Sequence, residues 1–476
     1  MAYQKNREAE SYDIFPRVVA AGREVCIHIR PLGVRREFEP GEEYTLTIAA
    51  LTTGRPRYFP LSADYKVIIV RCDQEGCFTF HHIFEEEQEY YLRLSYIHPD
   101  TGKTVIRQGS VYCVADDLIG RYPFMGDLHI HTCCSDGNEQ PETVCAAYRK
   151  HGYDFVTISD HHRYYPSLQA IEFYRDVPTE LTIVPGEEVH MIVSTGEICD
   201  VHIVNFGGEY SVNALVEGPA IAEKGTEERF RSIGPDCPPV MTQKEYYELM
   251  QEKASKLVLP VGVDPLCTAS VSWVFEQIRR GNGLGILAHP FWFNDVQNIP
   301  DAELDYIIDK HMMDAVEVLG GDHYYAERYR EQNRLQVVRY SDDCMRGNRY
   351  PIVGSSDSHS CLSTNPDAFM SSTMVFAYKN EREELISSVR NFYSVAIDNM
   401  CPENYHIIGE LRLARYCNFL LKYYFPLHDE LCFEEGRLMQ QYAVGTGEEK
   451  QEALGGLKLI YGRVARMRKK YFDFGD

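Results

Sequence analysis

The sequence predicts an α/β protein: a seven-stranded β/α barrel, preceded by a small antiparallel β-sandwich and followed by a helical tail. Short alternating apolar segments with regular turn signals fill residues 12–117, which is typical of a sandwich. From residue 121 strands alternate with helices, which favours a parallel sheet closed into a barrel. From about residue 403 the apolar spacing is helical. We therefore expect domains at 1–120, 121–400 and 401–476, a division that 476 residues easily accommodate.

Composition and charge limit the classes of partner. The formal charge is -23 at pH 7 and the pI is near 5.2, so the protein's field repels long nucleic acids. Bound cations would still attract a small anion locally. The sequence has no apolar run near the length of a membrane span. Fifteen cysteines without zinc-finger spacing, in a chain whose start shows no apolar export segment, favour reduced thiols in the cytoplasm.

The segments before residue 121 are predicted to be strands of the sandwich domain. Alternation and turn residues place them at 25–30, 44–48, 65–71, 90–96 and 110–114. The histidines of this region, His28, His81 and His82, have no cluster of acidic or thiol partners nearby. We expect this domain to position, cover or dimerise the next one rather than to catalyse a reaction.

Seven strand–helix units are predicted after residue 121. Their strands lie at 126–131, 153–158, 181–184, 201–204, 284–287, 315–319 and 351–354, and 373–377 forms a final strand before a closing helix at 381–392. Residues 209–283 are too long for a simple loop, and helical runs at 243–256 and 269–280 predict a partial lid or side subdomain. Tail helices are predicted at 405–424, 430–442 and 448–471. They would pack on the barrel or on a second subunit, which allows for a homo-oligomer.

Polar residues at the C-terminal ends of barrel strands form the active-site face of such folds. His129 and His131 are two residues apart, so they face the same side of their predicted strand. Asp136 follows in a Ser-Asp-Gly turn that can fold back over the strand end and add an oxygen ligand. By itself this first motif fits two hydrogen-bonded core histidines better than a metal site, and the similar strand ends that follow it change the interpretation in favour of metal.

A second acidic motif, at residues 186–190, leaves two candidate ligands. Val189 should face the outer helices, which turns Glu188 and His190 inward together and makes Glu188 the better ligand, with Glu187 as the alternative. The complete set of predicted metal ligands is His129, His131, Asp136, His161, Glu188, His202, His289, Asp357 and His359. Without metal, many of these polar groups would be buried and unpaired. Mixed nitrogen and oxygen ligands suit two or three divalent ions of zinc, manganese or iron.

Five motifs in this order resemble the PHP (polymerase and histidinol phosphatase) family of metal-dependent phosphoesterases. The resemblance extends over residues 121–399. The motifs are Gly-Asp-Leu-His-x-His-Thr-x-x-Ser-Asp-Gly from residue 126, Ser-Asp-His from 159, Pro-Gly-Glu-Glu from 185, Ala-His-Pro from 288, and Gly-Ser-Ser-Asp-Ser-His from 354.

The resemblance implies a distorted seven-stranded β/α barrel with up to three metal ions. It assigns His129, His131, Glu188 and Asp357 to one ion, Glu188, His202 and His289 to a second, and Asp136, His161 and His359 to a third. A hydroxide that bridges two ions would then attack phosphorus in line. The expected activity is that of a metal-dependent phosphoric ester hydrolase acting on a small phosphorylated metabolite or a nucleotide.

Several further positions leave alternatives open. His190 or Arg163 is predicted to contact the phosphate or the leaving oxygen, although Arg163 also fits a solvated loop and His190 a hydrogen bond to a ligand carboxylate. Glu317 faces inward on the sixth predicted strand, where it would orient a ligand histidine or form an ordinary ion pair. The aromatic residues 291–293 fit either the core or a wall for a ring-shaped substrate.

Two other functions fit the same sequence. An amidohydrolase-like enzyme would cleave C–N or C–O bonds with the same activated water. Such barrels usually end in a single strand-end aspartate, whereas here Asp357 is accompanied by His359. A metal-binding module without activity is the third interpretation, and the apparently complete ligand set argues against it.

Overall fold

The computed structural model describes residues 12–33, 38–53, 65–98, 100–194, 197–217, 237–294, 296–320, 326–362, 368–399 and 405–475. Residues 218–236 of the predicted insertion and 401–404 at the start of the predicted tail lie outside this description. The chain divides into two compact units. One holds Tyr122–Glu410 and Cys432–Tyr461, and the other holds the chain up to Arg121 with Leu411–Leu431 and Gly462–Asp476.

The unit that contains the N-terminal strands has two sheets with a common core. Its three-stranded sheet has the order Tyr12–Phe15, Glu24–Pro31, Phe78–Ile83, and its six-stranded sheet the order Phe472–Asp473, Val18–Ala20, Thr104–Val114, Gln88–Ile97, Glu43–Ala50, Lys66–Arg71. Ile27 and Phe78 of the first sheet and Leu46 and Leu92 of the second are buried in one cluster. Helices Leu411–Tyr423 and Arg463–Tyr471 also belong to this unit, and helix Phe425–Val444 belongs partly to each unit.

Asp13 is a buried carboxylate in the same unit. It accepts hydrogen bonds from Tyr471 Oη at 2.7 Å, Lys470 Nζ at 2.6 Å and Arg30 Nη2 at 2.5 Å. Burial alone would raise the pKa of Asp13, but the contacts with Lys470 and Tyr471 lower it below its ordinary value. A lowered pKa in the folded state stabilises the protein above the unfolded-state pKa of about 4, and this contribution is lost as the pH falls through the folded-state pKa.

We therefore expect Asp13→Asn to lower the free energy of unfolding by about 1–3 kcal/mol at pH 7. The difference from the wild type should shrink below about pH 4, because the unfolded wild type then binds a proton at this carboxyl that the folded protein binds only at lower pH. Urea unfolding at pH 7 and pH 3 measures both values. Glu42→Gln, which changes an exposed acidic residue of the same unit, is the control. An equal loss in both variants, or a loss independent of pH, would contradict the expectation.

The other unit is a mixed α/β structure with two large sheets. The six-stranded sheet has the order Thr182–Val184, Phe155–Thr157, Tyr122–Asp127, Ser371–Ala377, Ser394–Asp398, His406–Ile408, and the five-stranded sheet the order Gly186–Val189, Ile203–Phe206, Leu284–Leu287, Ala315–Leu319, Ile352–Gly354. Phe155 and Val375 of one sheet are buried in the same cluster as Val204 and Leu284 of the other. Three short strand pairs complete the described strands: Ile192–Ser194 with Glu197–Ile198, Val216–Glu217 with Met241–Thr242, and Phe293–Asn294 with Val296–Gln297.

The sheets of this unit are mixed, which corrects the expectation of a parallel sheet. Ile203–Phe206 runs antiparallel to both of its neighbours, and Ser371–Ala377 is antiparallel to Tyr122–Asp127. A parallel connection needs a crossover segment, usually a helix, whereas the chain between Val189 and Ile203 forms a hairpin. Neither sheet closes on itself within the described residues, so the seven-stranded barrel stays a prediction.

Helices cover the sheets of this unit. They are Pro141–Lys150, Tyr165–Tyr174, Gln243–Ala254, Pro265–Arg280, Asp301–Asp309, Ala326–Met345, Arg382–Arg390 and Gly447–Ile460. Gln243–Ala254 begins with a capping box between Thr242 and Glu245. Pro265–Arg280 begins with the Asp264 cap, and its Phe275 and Ile278 are buried in the core.

Two predicted tail helices differ from the structure. Residues 405–410 are not helical, because His406–Ile408 pairs as an edge strand with Ser394–Asp398. The predicted helix 448–471 is divided at Gly462, whose φ of 77° is left-handed and ends the helical path. Among the described residues we find no helix with the length and apolar character of a membrane span.

Candidate metal centre

The segments that follow three strands carry five of the predicted ligands. His129 and His131 follow strand Tyr122–Asp127 rather than forming part of it, His161 follows Phe155–Thr157, and Asp357 and His359 follow Ile352–Gly354. Isolated bridges link these segments, since Ile130 pairs with Ser358 and His161 pairs with Glu188. Backbone pairing beyond the strand ends therefore brings the side chains together.

His202 reaches the same cluster by a different route from the one predicted. The sequence predicts a parallel strand that includes His202. In the structure His202 immediately precedes strand Ile203–Phe206, which is antiparallel to Gly186–Val189. The start of an antiparallel strand lies at the edge where its neighbour ends. His202 consequently lies next to Glu188, with 2.9 Å between Nδ1 and Oε1.

The first ligand group consists of two histidines and two acidic residues, all buried. The Nε2 atom of His129 lies 3.3 Å from Glu188 Oε2 and 3.2 Å from Asp357 Oδ1. The Nε2 atom of His131 lies 3.5 Å from Glu188 Oε2 and 2.8 Å from Asp357 Oδ1. Both histidines thus direct the same ring nitrogen to the same two oxygens.

Three further groups adjoin the first, and one of them consists of His161, Glu188 and His190. In the second group His289 Nε2 lies 3.3 Å from Glu188 Oε1, the oxygen that also faces His202. In the third group Asp136 Oδ2 lies 3.3 Å from His161 Nε2 and 3.4 Å from His359 Nε2. His131 joins the third group as well, because its Nδ1 lies 3.6 Å from Asp136 Oδ1. The structure thus brings all nine predicted ligands into one connected cluster.

The spacing and the unpaired atoms of this cluster fit divalent ions. Two ligand atoms at about 2.1 Å from one ion lie about 3.0 Å apart at a right angle and about 3.4 Å apart at the tetrahedral angle. The first group spans 2.8 to 3.5 Å. Glu188 Oε2 and His202 Nδ1 are buried without a hydrogen-bond partner, which is costly unless a cation satisfies them.

Electrostatics within the cluster is dominated by the proximity of imidazoles and carboxylates. Burial and the neighbouring His161 and His359 lower the pKa of His131 to about 3. Burial alone would lower the pKa of His359, but Asp136 and Asp357 raise it to about 9. A cation that binds here must displace protons from histidines such as His359, so metal binding should weaken as the pH falls.

Glu317 contacts one ligand in each of two groups, His129 of the first and His289 of the second. Its side chain is fully buried, its Oε1 lies 3.0 Å from His129 Nδ1, and its Oε2 accepts the backbone N–H of His289 at 3.0 Å. A Cβ at Gly320 would lie 2.5 Å from Glu317 Oε2, so the absence of a side chain there leaves room for the carboxylate. Of the two alternatives that the sequence leaves open for Glu317, the geometry favours orientation of a ligand histidine.

Two further buried carboxylates, Asp160 and the alternative ligand Glu187, accept hydrogen bonds from segments beside the site. Asp160 accepts hydrogen bonds from the backbone N–H groups of Thr132 at 2.8 Å and Ser135 at 3.1 Å, and so supports the turn that carries Asp136. Burial raises the pKa of Asp160 to about 6. Glu187 faces away from the ligand groups and accepts hydrogen bonds from Ser211 Oγ at 2.7 Å and Asn213 Nδ2 at 3.1 Å. The only sequence signal for Asp160 is its position directly before His161.

Two ligands have an unusual backbone conformation. Asp357 has a φ of 51° and His289 a φ of 23°, values that non-glycine residues rarely adopt. Such conformations persist where the surrounding structure determines them, and they concentrate at functional sites. Nothing in the sequence predicts these angles.

The predicted phosphate-binding residues and the aromatic run lie beside the ligand groups. The guanidinium of Arg163 donates a hydrogen bond to the carbonyl oxygen of Cys134, next to the turn that carries Asp136. His190 Nε2 lies 3.0 Å from His161 Nδ1 and 3.4 Å from Glu188 Oε2. The ring of Trp292 lies 5.4 Å from that of His202, so at least this aromatic residue borders the second group.

Comparison with known proteins gives weak similarities. No family model matches the chain, and no curated protein matches it. A two-domain protein from Bacteroides vulgatus containing a predicted PHP-like metal-dependent phosphoesterase is 16% identical with a TM-score of 0.36, and the match covers 58% of this chain and 65% of that one. This chain therefore spans slightly less than two thirds of that protein's length.

Two other solved structures show similarities of the same kind. A protein from Bifidobacterium adolescentis, provisionally described as a metal-dependent phosphoesterase, is 18% identical with a TM-score of 0.30 over 50% of this chain and 89% of that one. An amidohydrolase from Chromobacterium violaceum, with bound sulfate and no metal, is 19% identical with a TM-score of 0.28 over 49% and 87% of the two chains. All three TM-scores are low, so these similarities support no conclusion about function.

Proposed function

We propose that this protein is a metal-dependent phosphoesterase that hydrolyses a small phosphorylated metabolite or a nucleotide. The observation that carries the proposal is the sharing of one buried carboxylate, Glu188, by three of the four ligand groups among the described residues, with the group of Asp136 linked to them through His131 and His161. Adjacent cation positions of this kind suit phosphoryl transfer, in which charge spreads over several oxygens in the transition state.

The proposed ligands follow three of these groups. His129, His131, Glu188 and Asp357 would hold one ion, Glu188, His202 and His289 a second, and Asp136, His161 and His359 a third. The mixed imidazole and carboxylate donors suit zinc, manganese or iron. Bound divalent ions would supply Lewis acidity and a water molecule of lowered pKa.

The protein's own residues would orient the substrate and the metal ligands. Arg163 lies beside the turn that carries Asp136, and we assign its guanidinium to the phosphoryl oxygens. Glu317 would accept a hydrogen bond from the Nδ1–H of His129. This selects the tautomer with an unprotonated Nε2, the nitrogen that faces Glu188 and Asp357. We further propose that seven of the strands in the two large sheets of this unit form the distorted barrel, since side chains of both sheets share one core.

The activity is tested by phosphate release. Protein loaded in turn with Zn²⁺, Mn²⁺ or Fe²⁺ is incubated with a panel of phosphomonoesters and nucleotides, and in parallel with amides while ammonia is measured. We expect phosphate release that a chelator abolishes and added metal restores. Ammonia release without phosphate release would replace this function by an amidohydrolase activity.

The His129→Ala variant tests the ligand assignment by removing one ligand of the first group. Removing this ligand should reduce bound metal and lower turnover by about 10³-fold or more, because metal-ion catalysis contributes several kcal/mol to transition-state stabilisation. Far-UV circular dichroism would check that the variant folds. Wild-type turnover and metal content in this variant would refute the assignment.

A further inference from the structure

The two ring nitrogens of His161 face different partners. Its Nε2 lies 3.3 Å from Asp136 Oδ2, within the third ligand group. Its Nδ1 lies 3.0 Å from His190 Nε2 and 2.6 Å from Glu188 Oε2. A histidine that binds a cation through Nε2 is neutral and carries its proton on Nδ1. The role of His190 therefore depends on which neighbour accepts a hydrogen bond from this Nδ1–H.

Glu188 is poorly placed to accept the hydrogen bond from His161 Nδ1–H. Its Oε2 is the nearer atom, yet it has no hydrogen-bond partner, whereas the contact between His161 and His190 has hydrogen-bond geometry. Both oxygens of Glu188 also face other ligands, Oε1 towards the second group and Oε2 towards the first. A hydrogen bond from His161 would occupy a lone pair of Glu188 Oε2 that a cation in the first group also needs.

We propose that His190 is a positioning residue whose Nε2 accepts a hydrogen bond from the Nδ1–H of His161. This inference rests on the proposed function, because it concerns the third ligand group of the same centre. The hydrogen bond selects the tautomer of His161 whose Nε2 lone pair is free to bind a cation together with Asp136, and it leaves Glu188 available to cations. His190 then binds neither the phosphate nor a ligand carboxylate, the two roles that the sequence leaves open for it.

Metal binding tests this role without any substrate. Zn²⁺ is titrated into the apoprotein against a competing chelator, and bound metal is counted by elemental analysis. His190→Ala should weaken one of three binding steps by about 10–100-fold, the usual cost of losing a partner of a metal-ligating histidine. His190→Gln should restore that step, because a glutamine oxygen can accept the same hydrogen bond while it is a poor zinc ligand.

Two further variants locate the effect. Asp136 belongs to the third group alone, so Asp136→Ala should weaken the same step, and the double variant should lose no more than Asp136→Ala by itself. His162→Asn is the control, because the ring of His162 lies 4.8 Å from that of His190 but belongs to none of the ligand groups. Asparagine tolerates the left-handed φ of 57° at this position, and this control should bind Zn²⁺ like the wild type.

Several outcomes would overturn the inference. A wild type without a third binding step, or a His190→Ala variant that weakens every step equally, would exclude a specific role in the third group. A His190→Gln variant as defective as His190→Ala would mean that His190 binds an ion itself. A protein that gives the expected titrations but hydrolyses no phosphate ester would refute the proposed function and leave the role of His190 intact.

Discussion

Glu188→Gln is expected to release most of the bound metal and to lower turnover by about 10³-fold or more. Glu188 is completely buried, and its two oxygens lie within 3.5 Å of ring nitrogens of His129, His131, His161, His190, His202 and His289. Glutamine keeps the shape but replaces one acceptor oxygen by a donor NH₂ group. It therefore cannot offer oxygens to the first and second groups together.

The neighbouring residue provides the control for this variant. Glu187 is as buried as Glu188, but its hydrogen bonds go to Ser211, Val212 and Asn213. Glu187→Gln should lower the free energy of unfolding, because a buried acceptor is lost, and should leave the metal content unchanged. Elemental analysis and phosphate release measure both variants. Equal losses of metal in the two variants would show that the effect is structural rather than a loss of ligation.

The second large effect is expected for Glu317→Gln. The carboxylate receives two donors, the backbone N–H of His289 on one oxygen and His129 Nδ1 on the other. Glutamine has one acceptor oxygen, so either the N–H of His289 stays unpaired or His129 loses the contact that selects its tautomer. Metal affinity should fall by about 10–100-fold, measured by chelator competition.

Two variants separate this effect from a general loss of stability. Gly320→Ala would displace the carboxylate by steric contact, with a Cβ at 2.5 Å from Oε2, and should lower metal affinity in the same direction. Glu303→Gln is the matched control, because Glu303 is also buried and accepts hydrogen bonds from Asp264 N and Thr268 Oγ1, and it belongs to none of the ligand groups. Unchanged metal affinity in Glu317→Gln, or an equal decrease in Glu303→Gln, would contradict this role.

Some parts of the fold follow from local sequence signals. Alternation of apolar residues predicts strands such as Glu24–Pro31, where every second side chain is buried. Continuous apolar runs predict the buried strands Leu284–Leu287 and Ala315–Leu319 at their observed bounds. Strand direction was not predictable in this way, because apolar patterns do not depend on the direction in which a strand runs. The antiparallel course of Ile203–Phe206 depends on the hairpin before it.

Which chemical groups are available, and how neighbouring ones are spaced, follows from the order of the amino acids alone. His129 and His131 converge because they are two residues apart in extended backbone, and Val189 leaves Glu188 facing inward for the same reason. How groups more than two hundred residues apart meet at Glu188, and which nitrogen each imidazole directs to its partners, is fixed by the fold. Those choices depend on long-range contacts such as Glu317 with His129 and His190 with His161, and side-chain periodicity along a single strand carries no information about them.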